Sequence, residues 1–241
     1  MIPRRIINLI RRMAQENPLW TPERIQSELA LLSYDVAEAT VAKYMGRRWP
    51  GSPTWMTFLR NHLPDTAACD FFTVPTATFR VLYCFLILSH DRRRIVHFNV
   101  TAHPTAEWTA QQMVEAFPGD GPIPKFLIRD RDGIYGSYFR RRVQNMGIRE
   151  IVTSRKSPWQ NPYAERMIGS IRRECLDHVI VFGERHLRRV LKAYVHYYNE
   201  SRPHLSLMCN APIPRKRESG NGRVIAIPRV GGLHHHYKRA A

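Results

Sequence analysis

Acidic side chains are scarce in this 241-residue sequence: 20 Asp and Glu stand against 37 Lys and Arg, for a formal charge of +17. That deficit excludes a cationic partner and points to a polyanion, because every phosphate neutralised by Lys or Arg releases condensed counterions. Long apolar runs are lacking too. The longest, Val81 to Leu88, falls far short of the ~20 residues that cross a bilayer, and no membrane partner is expected. The basic N-terminus runs through Ile6, Ile7, Leu9 and Ile10 straight into Arg11 and Arg12, with no cleavage site, so it does not read as a signal peptide. Cysteine is limited to Cys69, Cys84, Cys175 and Cys209, with no CxxC or CxxH spacing. This argues against a structural zinc site and a disulfide framework, and for small buried hydrophobes in a reducing, cytoplasmic setting. Also missing are a Gly-rich phosphate loop and a Ser-His-Asp arrangement, so nucleotide hydrolysis has no support.

What is present divides into segments of different periodicity. Residues 1–48 read as helical: Ile6, Ile7, Ile10 and Met13 recur at helical spacing, and Thr21-Pro22-Glu23 is a helix start with a hydroxyl cap and proline at the first position. A third helix from Ala37 to about Gly46 follows a turn at Ser33-Tyr34-Asp35 and ends in Arg47-Arg48. Two short helices about a tight turn predict a helix-turn-helix, with Lys43, Arg47 and Arg48 as DNA-contacting residues. Residues 49–64, opened by Trp49-Pro50-Gly51-Ser52-Pro53, read as a linker.

From residue 65 to 205 the expected order is βββ-α-β-α-β-α-α, an α/β mixed sheet flanked by helices. Ala67–Val74, Phe79–Leu88 and Ile95–Val100 form an antiparallel meander. Further strands are expected at Lys125–Arg129 and Arg149–Thr153, with helices at Tyr138–Met146, Asn161–Cys175 and Glu184–Tyr198 and another opened by His103-Pro104-Thr105. Residues 206–241 read as a basic C-terminal tail with a short strand at Arg223–Arg229, and His234 to His236 as part of a disordered end rather than a metal site.

Three acids stand out. Asp70 lies within the apolar strand Ala67-Ala68-Cys69-Asp70-Phe71-Phe72, where a carboxylate is costly to bury without a partner or a metal. Asp130 ends the strand Phe126 to Arg129, and Glu165 sits in the first turn of the helix opened by Asn161-Pro162. Acids presented from rigid elements at one sheet edge suit Mg²⁺, which takes hard oxygen ligands and leaves positions for water and phosphate. Two such ions about 4 Å apart stabilise the attacking and leaving oxygens of an in-line displacement at phosphorus. Arg172 shares a helix face with Glu165 about 10 Å along, a place to grip a neighbouring phosphate.

The motif Asp130-Arg131-Asp132-Gly133-Ile134-Tyr135 resembles the second-aspartate motif of the integrase-core DDE transposases of bacterial insertion sequences, which are retroviral-integrase-like. Ser157-Pro158-Trp159-Gln160-Asn161-Pro162-Tyr163-Ala164-Glu165-Arg166 resembles their glutamate motif. Asp70 to Asp130 is 60 positions and Asp130 to Glu165 is 35, both close to that family's spacing, and Arg172 fills its basic place seven residues after the glutamate. Tyr197-Tyr198-Asn199 with Arg202-Pro203-His204 is similar to the segment that closes the domain. The resemblance spans about residues 20–215. It implies a ribonuclease H-like fold, two Mg²⁺ or Mn²⁺ ions on Asp70, Asp130 and Glu165, and DNA cleavage followed by strand transfer. It further implies duplex DNA partners (mobile-element ends and target), a homo-oligomer on DNA, and a bacterial, nucleoid-associated setting. The sequence departs from the motif at Asp132, where the family has glycine, so Asp132 is an alternative second ligand. It has no N-terminal His/Cys zinc module, and its start in a basic helix fits a piece of a longer transposase.

Lys156, Arg166, Arg172 and Arg173 are the expected DNA-backbone contacts near the acids. Arg140 to Arg142 and the stripe Arg185, Arg188, Arg189 and Lys192 are split between that role and a solvated face. Trp159 and Tyr163 read either as base-stacking or as core residues, and His90 and His97 as structural. Two alternatives remain on this reading: a DNA-binding remnant without chemistry, and a nuclease of the same fold acting on RNA–DNA hybrids.

Overall fold

Apolar residues at helical spacing build the first element, α1 (Arg4–Glu16), which buries Ile6, Ile10 and Met13. The second, α2 (Pro22–Leu31), starts where Thr21 Oγ1 accepts the Arg24 amide at 3.3 Å, as a capping hydroxyl followed by proline dictates. It contributes Ile25 and Leu29, and α3 (Glu38–Tyr44) adds Val41. These side chains, with Val36, form one core. Each fully buried Leu, Ile or Val contributes about 1.5–3 kcal/mol. Between α2 and α3 the chain turns at Ser33, whose φ is +62°.

The computed structural model describes residues 2–17, 20–45, 53–119, 121–154, 160–219 and 221–240. It divides into two units, Met1–Met56 and Thr57–Ala241. Arg47, Arg48, Lys156 and Trp159 lie outside the described residues. The stretch 49–64, expected as a linker, differs from that reading: it contains helix α4 (Pro53–His62), which the Pro/Gly punctuation just before it concealed.

In the second unit the strands β1 (Thr66–Pro75), β2 (Val81–Ser89), β3 (Ile95–Thr101), β4 (Phe126–Arg129) and β5 (Arg149–Val152) form one sheet in the order β3-β2-β1-β4-β5. The first three pair antiparallel, as the meander predicts, and β4 and β5 run parallel to β1. Parallel pairing requires crossover connections, supplied by α5 (Ala106–Ala116) and α6 (Ser137–Asn145). β2 starts two residues later than expected because Phe79 sits in a turn at φ +58°, 92% exposed.

Side-chain alternation along the strands creates two cores. Ala67 and Cys69 of β1 join Phe85, Leu127, Met113, Phe139 and Val143 beneath α5 and α6. Phe72 and Val74 join Leu86, Leu88 and the helices α7 (Pro162–Glu174) and α8 (Glu184–Glu200) on the opposite face. Asp70 has the parity of the second set. Cys69, Cys84 and Cys175 are buried as expected, while Cys209 is exposed. Among the described residues no helix is long and apolar enough to cross a membrane.

The expectation of a disordered histidine tail is corrected. β6 (Val224–Arg229) and β7 (His234–Arg239) form an antiparallel hairpin. His234 stacks on Tyr197 at 4.3 Å with rings nearly parallel, and its Nε2 lies 2.8 Å from the Glu174 carbonyl oxygen. His236 Nδ1 meets Ser201 Oγ at 3.1 Å. The ordering comes from aromatic stacking and polar contacts with α7 and α8, not from an apolar stripe.

Candidate active site

Each paired β1 residue faces the β4 residue sixty positions later: Thr66 with Phe126, Ala67 with Leu127, Ala68 with Ile128. The spacing between the two aspartates is therefore the register of a parallel strand pair. Continued two steps, that register sets Asp130, the first residue after β4, alongside Asp70. Beyond Arg129 the chain leaves the sheet, and Asp130 Oδ1 accepts the Asp132 amide at 3.2 Å. Asp132 Oδ1 in turn accepts the Ile134 amide at 2.9 Å. Such local Asx bonds shape a turn, and they occupy Asp132 with capping its own loop.

The first turn of α7 is fixed to β1 next to Asp70. Asn161, only 4% exposed, donates its Nδ2 to the Cys69 carbonyl at 3.4 Å, and Pro162 begins the helix. Ala164, Met167, Ile168 and Ile171 turn to the sheet, leaving Glu165 exposed on the flank. Behind β1, Cys69 lies 3.7 Å from the Tyr135 hydroxyl, and burial pushes both groups well above their ordinary pKa values. Arg129 is buried against Tyr135 at 5.0 Å and paired with Glu150. Its charge is thereby engaged on the α6 side of the sheet.

Electrostatically, the acids act as a group. Burial, then the charge of Asp130, then those of Glu165 and Asp132, push the Asp70 carboxyl up to about 7. The Phe71 amide at 2.8 Å is the hydrogen bond that opposes this rise. Asp130 is raised as well, first by burial and then by the charge of Asp132, against the pull of the Asp132 amide and Arg129. The structure thus brings Asp70 within the influence of Asp130, Glu165 and Asp132. It does not pre-assemble a chelate: among the described residues no three His, Cys, Asp or Glu side chains stand ready to share a metal ion. The donor set nonetheless fits a hard divalent cation, being carboxylates with mutual repulsion and no ion pair to Asp70 or Asp130 among the described residues.

Residues 146–212 match the family model described as integrase core domain. Over those residues the chain is similar to an integrase core. Over 174 residues it is 25% identical to an uncharacterized 39.2 kDa protein of insertion element IS476 from Xanthomonas euvesicatoria, an alignment covering 72% of this chain. It spans half of that relative's length, 50%. In fold it is similar to a chain of the simian T-cell lymphotropic virus intasome in complex with PP2A regulatory subunit B56 gamma, with a TM-score of 0.50 and 12% identity over 90% of this chain and 86% of that one. The catalytic domain of Mos1 mariner transposase gives a TM-score of 0.49 at 10% identity, over 59% of this chain and 77% of that chain. The expected mixed sheet flanked by helices is present, and the resemblance to integrase cores holds over residues 146–212.

The basic residues expected at the site are arranged unevenly. Arg172 lies over the Phe72 ring at 5.9 Å and donates to the Thr73 carbonyl at 3.4 Å, at the end of β1. The guanidinium of Arg173 folds back over Gly169. Arg166 points into a cleft on the other flank of α7, with Tyr163. Arg188 is engaged structurally by Asn99, the Val100 carbonyl and Glu184. In the N-terminal unit, the exposed Lys43 lies over Tyr44 at 5.5 Å. Asn161 and Tyr135 are the positioning residues that residue-by-residue reading passed over. For Asn161 the signal was present, as a buried-type amide directly before a helix-starting proline.

Proposed function

We propose that this chain is a DNA transposase of the DDE type, cutting and joining strands by in-line attack of water or a 3′-hydroxyl on a phosphodiester. The observation that carries the reading is Asp70: a carboxylate inside the central strand, unpaired with any cation among the described residues and pressed by three other acids. Asp70, Asp130 and Glu165 would hold two Mg²⁺ or Mn²⁺ ions, which when bound supply activation of the attacking oxygen and neutralise the leaving one. Asp70 is held rigidly by β1, Asp130 by the Asx turn after β4, and Glu165 by a helix tied through Asn161 to β1. Asp132, engaged with its own loop, remains the second choice as ligand. No side chain is required as a covalent nucleophile.

Lys156, Arg166, Arg172 and Arg173 would contact the DNA backbone around these acids. The N-terminal three-helix unit would act as a helix-turn-helix, presenting Lys43, Arg47 and Arg48 from α3 and the residues after it. Joining two ends to one target would require more than one copy on DNA. The fold likeness to a chain of an intasome supports this reading of the assembly, and the insertion-element relative supports a mobile-element origin.

The test is incubation of the full chain with Mg²⁺ and duplexes ending in candidate terminal repeats, scoring nicks and joined products. Wild-type cleavage lost in Asp130→Asn is the expected result. Cleavage at undiminished rate in Asp130→Asn, Asp132→Asn and Glu165→Gln alike would overturn the assignment.

A further inference from the structure

The segment Tyr198-Asn199 to Arg202-Pro203-His204 does more than close the core. Asn199 supplies the closure, accepting the Ile95 amide at 3.0 Å and donating to the Ile95 carbonyl at 2.9 Å, so α8 is fastened to β3. Tyr198, Arg202 and His204 instead form one wall of a cleft of about 490 Å³. The other wall is α7, with Tyr163, Arg166 and Ser170, together with Arg93 from the turn after β2.

His204 defines what this cleft lacks. The Arg202 guanidinium grips Glu174 through Nε at 2.8 Å and Nη2 at 2.6 Å, and sets Nη1 3.3 Å from His204 Nδ1. A guanidinium only donates, so Nδ1 accepts and the hydrogen of the neutral ring sits on Nε2. That Nε2 is buried in a residue 8% exposed and has no partner among the described residues. A buried donor left unpaired is costly unless a ligand supplies an acceptor. The same cleft is lined by further donors: Arg93, stacked at 5.1 Å over Tyr163, and Arg166, neither in an ion pair among the described residues, with the hydroxyls of Ser170 and Ser206. The cleft therefore combines an N–H, two uncompensated guanidinium groups and two hydroxyls, a set that suits an anion with several oxygens.

We propose that this cleft seats a phosphate of the DNA strand engaged at the neighbouring acids, with His204 Nε2 and Arg166 as its donors. The inference rests on the transposase reading. Glu165 and Arg166 are adjacent on α7, so one helix would present a catalytic acid to one flank and a backbone clamp to the other. Neutral His204 fixes the position of the phosphate and Arg166 supplies charge.

The experiment measures binding of a fluorescein-labelled 30-base-pair duplex by the full chain in EDTA, over a range of salt, with melting curves for every variant. Arg166→Gln is expected to weaken binding about 3–10-fold and to lower the salt slope by about 0.9, the loss of one phosphate contact. His204→Phe is expected to weaken binding comparably with the slope unchanged, because the lost donor is neutral. Should His204→Phe fail to fold, Ser170→Ala replaces it, with the same expectation. In the wild type, the histidine Nε2–H resonance is expected to shift on adding duplex. Variants that bind with wild-type affinity and slope overturn the proposal and leave the transposase reading intact, as does a resonance that moves with inorganic phosphate but not with duplex. A wild-type chain that binds no duplex at all overturns both.

Discussion

Helix α7 carries one glutamate in its first turn and another at its end, and the two sit in opposite electrostatic surroundings. Glu165 stands exposed beside Asp70, whose carboxyl is raised to about 7 by burial first and then by the charges of the neighbouring acids. Glu174 is gripped at both oxygens by Arg202 and accepts the Tyr194 hydroxyl at 3.0 Å. Burial alone would raise Glu174, but those partners outweigh it and hold its carboxyl below the ordinary value. The helix dipole makes the contrast sharper, since it favours an anion at the N-terminus and disfavours one at the C-terminus. At the end where the backbone opposes a negative charge, the protein supplies a cation. At the end where it tolerates one, the protein gathers more acids, and among the described residues no cation is ion-paired to Asp70 or Asp130. The first pattern is that of a structural pair, the second that of a site awaiting a cation from outside.

The largest expected effect that breaks this comparison is on chemistry. Asp70→Asn lowers Mg²⁺-dependent nicking more than about a hundredfold while the fold is retained, since even groups that only orient a metal ligand cost 10–100-fold. Asn161→Ala, which frees the start of α7 from β1, falls within about that 10–100-fold range. Both are read from single-turnover assays alongside melting curves.

At the other end of the helix the effect is on stability. Arg202→Ala strands Glu174, half-enclosed, without its cation; the fully buried case costs 3–5 kcal/mol, so about 2 kcal/mol is expected here. In a chain of this size that lowers Tm by roughly 4–8 °C, and Glu174→Gln with Arg202→Gln together loses less than Arg202→Ala alone.

The two ends also respond oppositely to pH. Asp70 has a folded value of about 7 against an ordinary 3.8, so its charge costs metal-free stability progressively as pH rises between those values. Metal-free Asp70→Asn is thus expected to melt a few degrees above wild type at pH 8 and to converge with it near pH 4. Glu174, with its value lowered, contributes stability above its ordinary 4.5 that is lost as pH falls through its folded value. Glu174→Gln is therefore expected to melt below wild type at pH 8 and to converge at acid pH. The smallest effect lies midway, at Gly169. Gly169→Ala brings a Cβ to 3.0 Å from the mobile end of Arg173, which swings away cheaply, and helix propensity gains up to about 1 kcal/mol.

The sheet was legible because its signals are local. Alternating or continuous apolar runs mark β1 to β5, and Thr21, Thr105 and Pro162 mark helix starts. The pair Asp70 and Asp130 was legible for a less obvious reason: their spacing is the register of β1 against β4. What escaped was decided by contacts distant in sequence. Nothing local in His234 to Arg239 announces a strand; its order comes from Tyr197, Ser201 and the Glu174 carbonyl. Arg172 was expected to reach for phosphate, yet its resting place over Phe72 depends on the far end of β1. The cleft at His204 could not be foreseen, because its meaning lies in which imidazole nitrogen Arg202 occupies.

The central claim is that positions 70, 130 and 165 form one divalent-cation site, and Mn²⁺ titration of the full chain followed by electron paramagnetic resonance tests it most directly. The account predicts two ions bound by wild type, with loss of that binding in both Asp70→Asn and Glu165→Gln. Equal Mn²⁺ binding in all three proteins would contradict it.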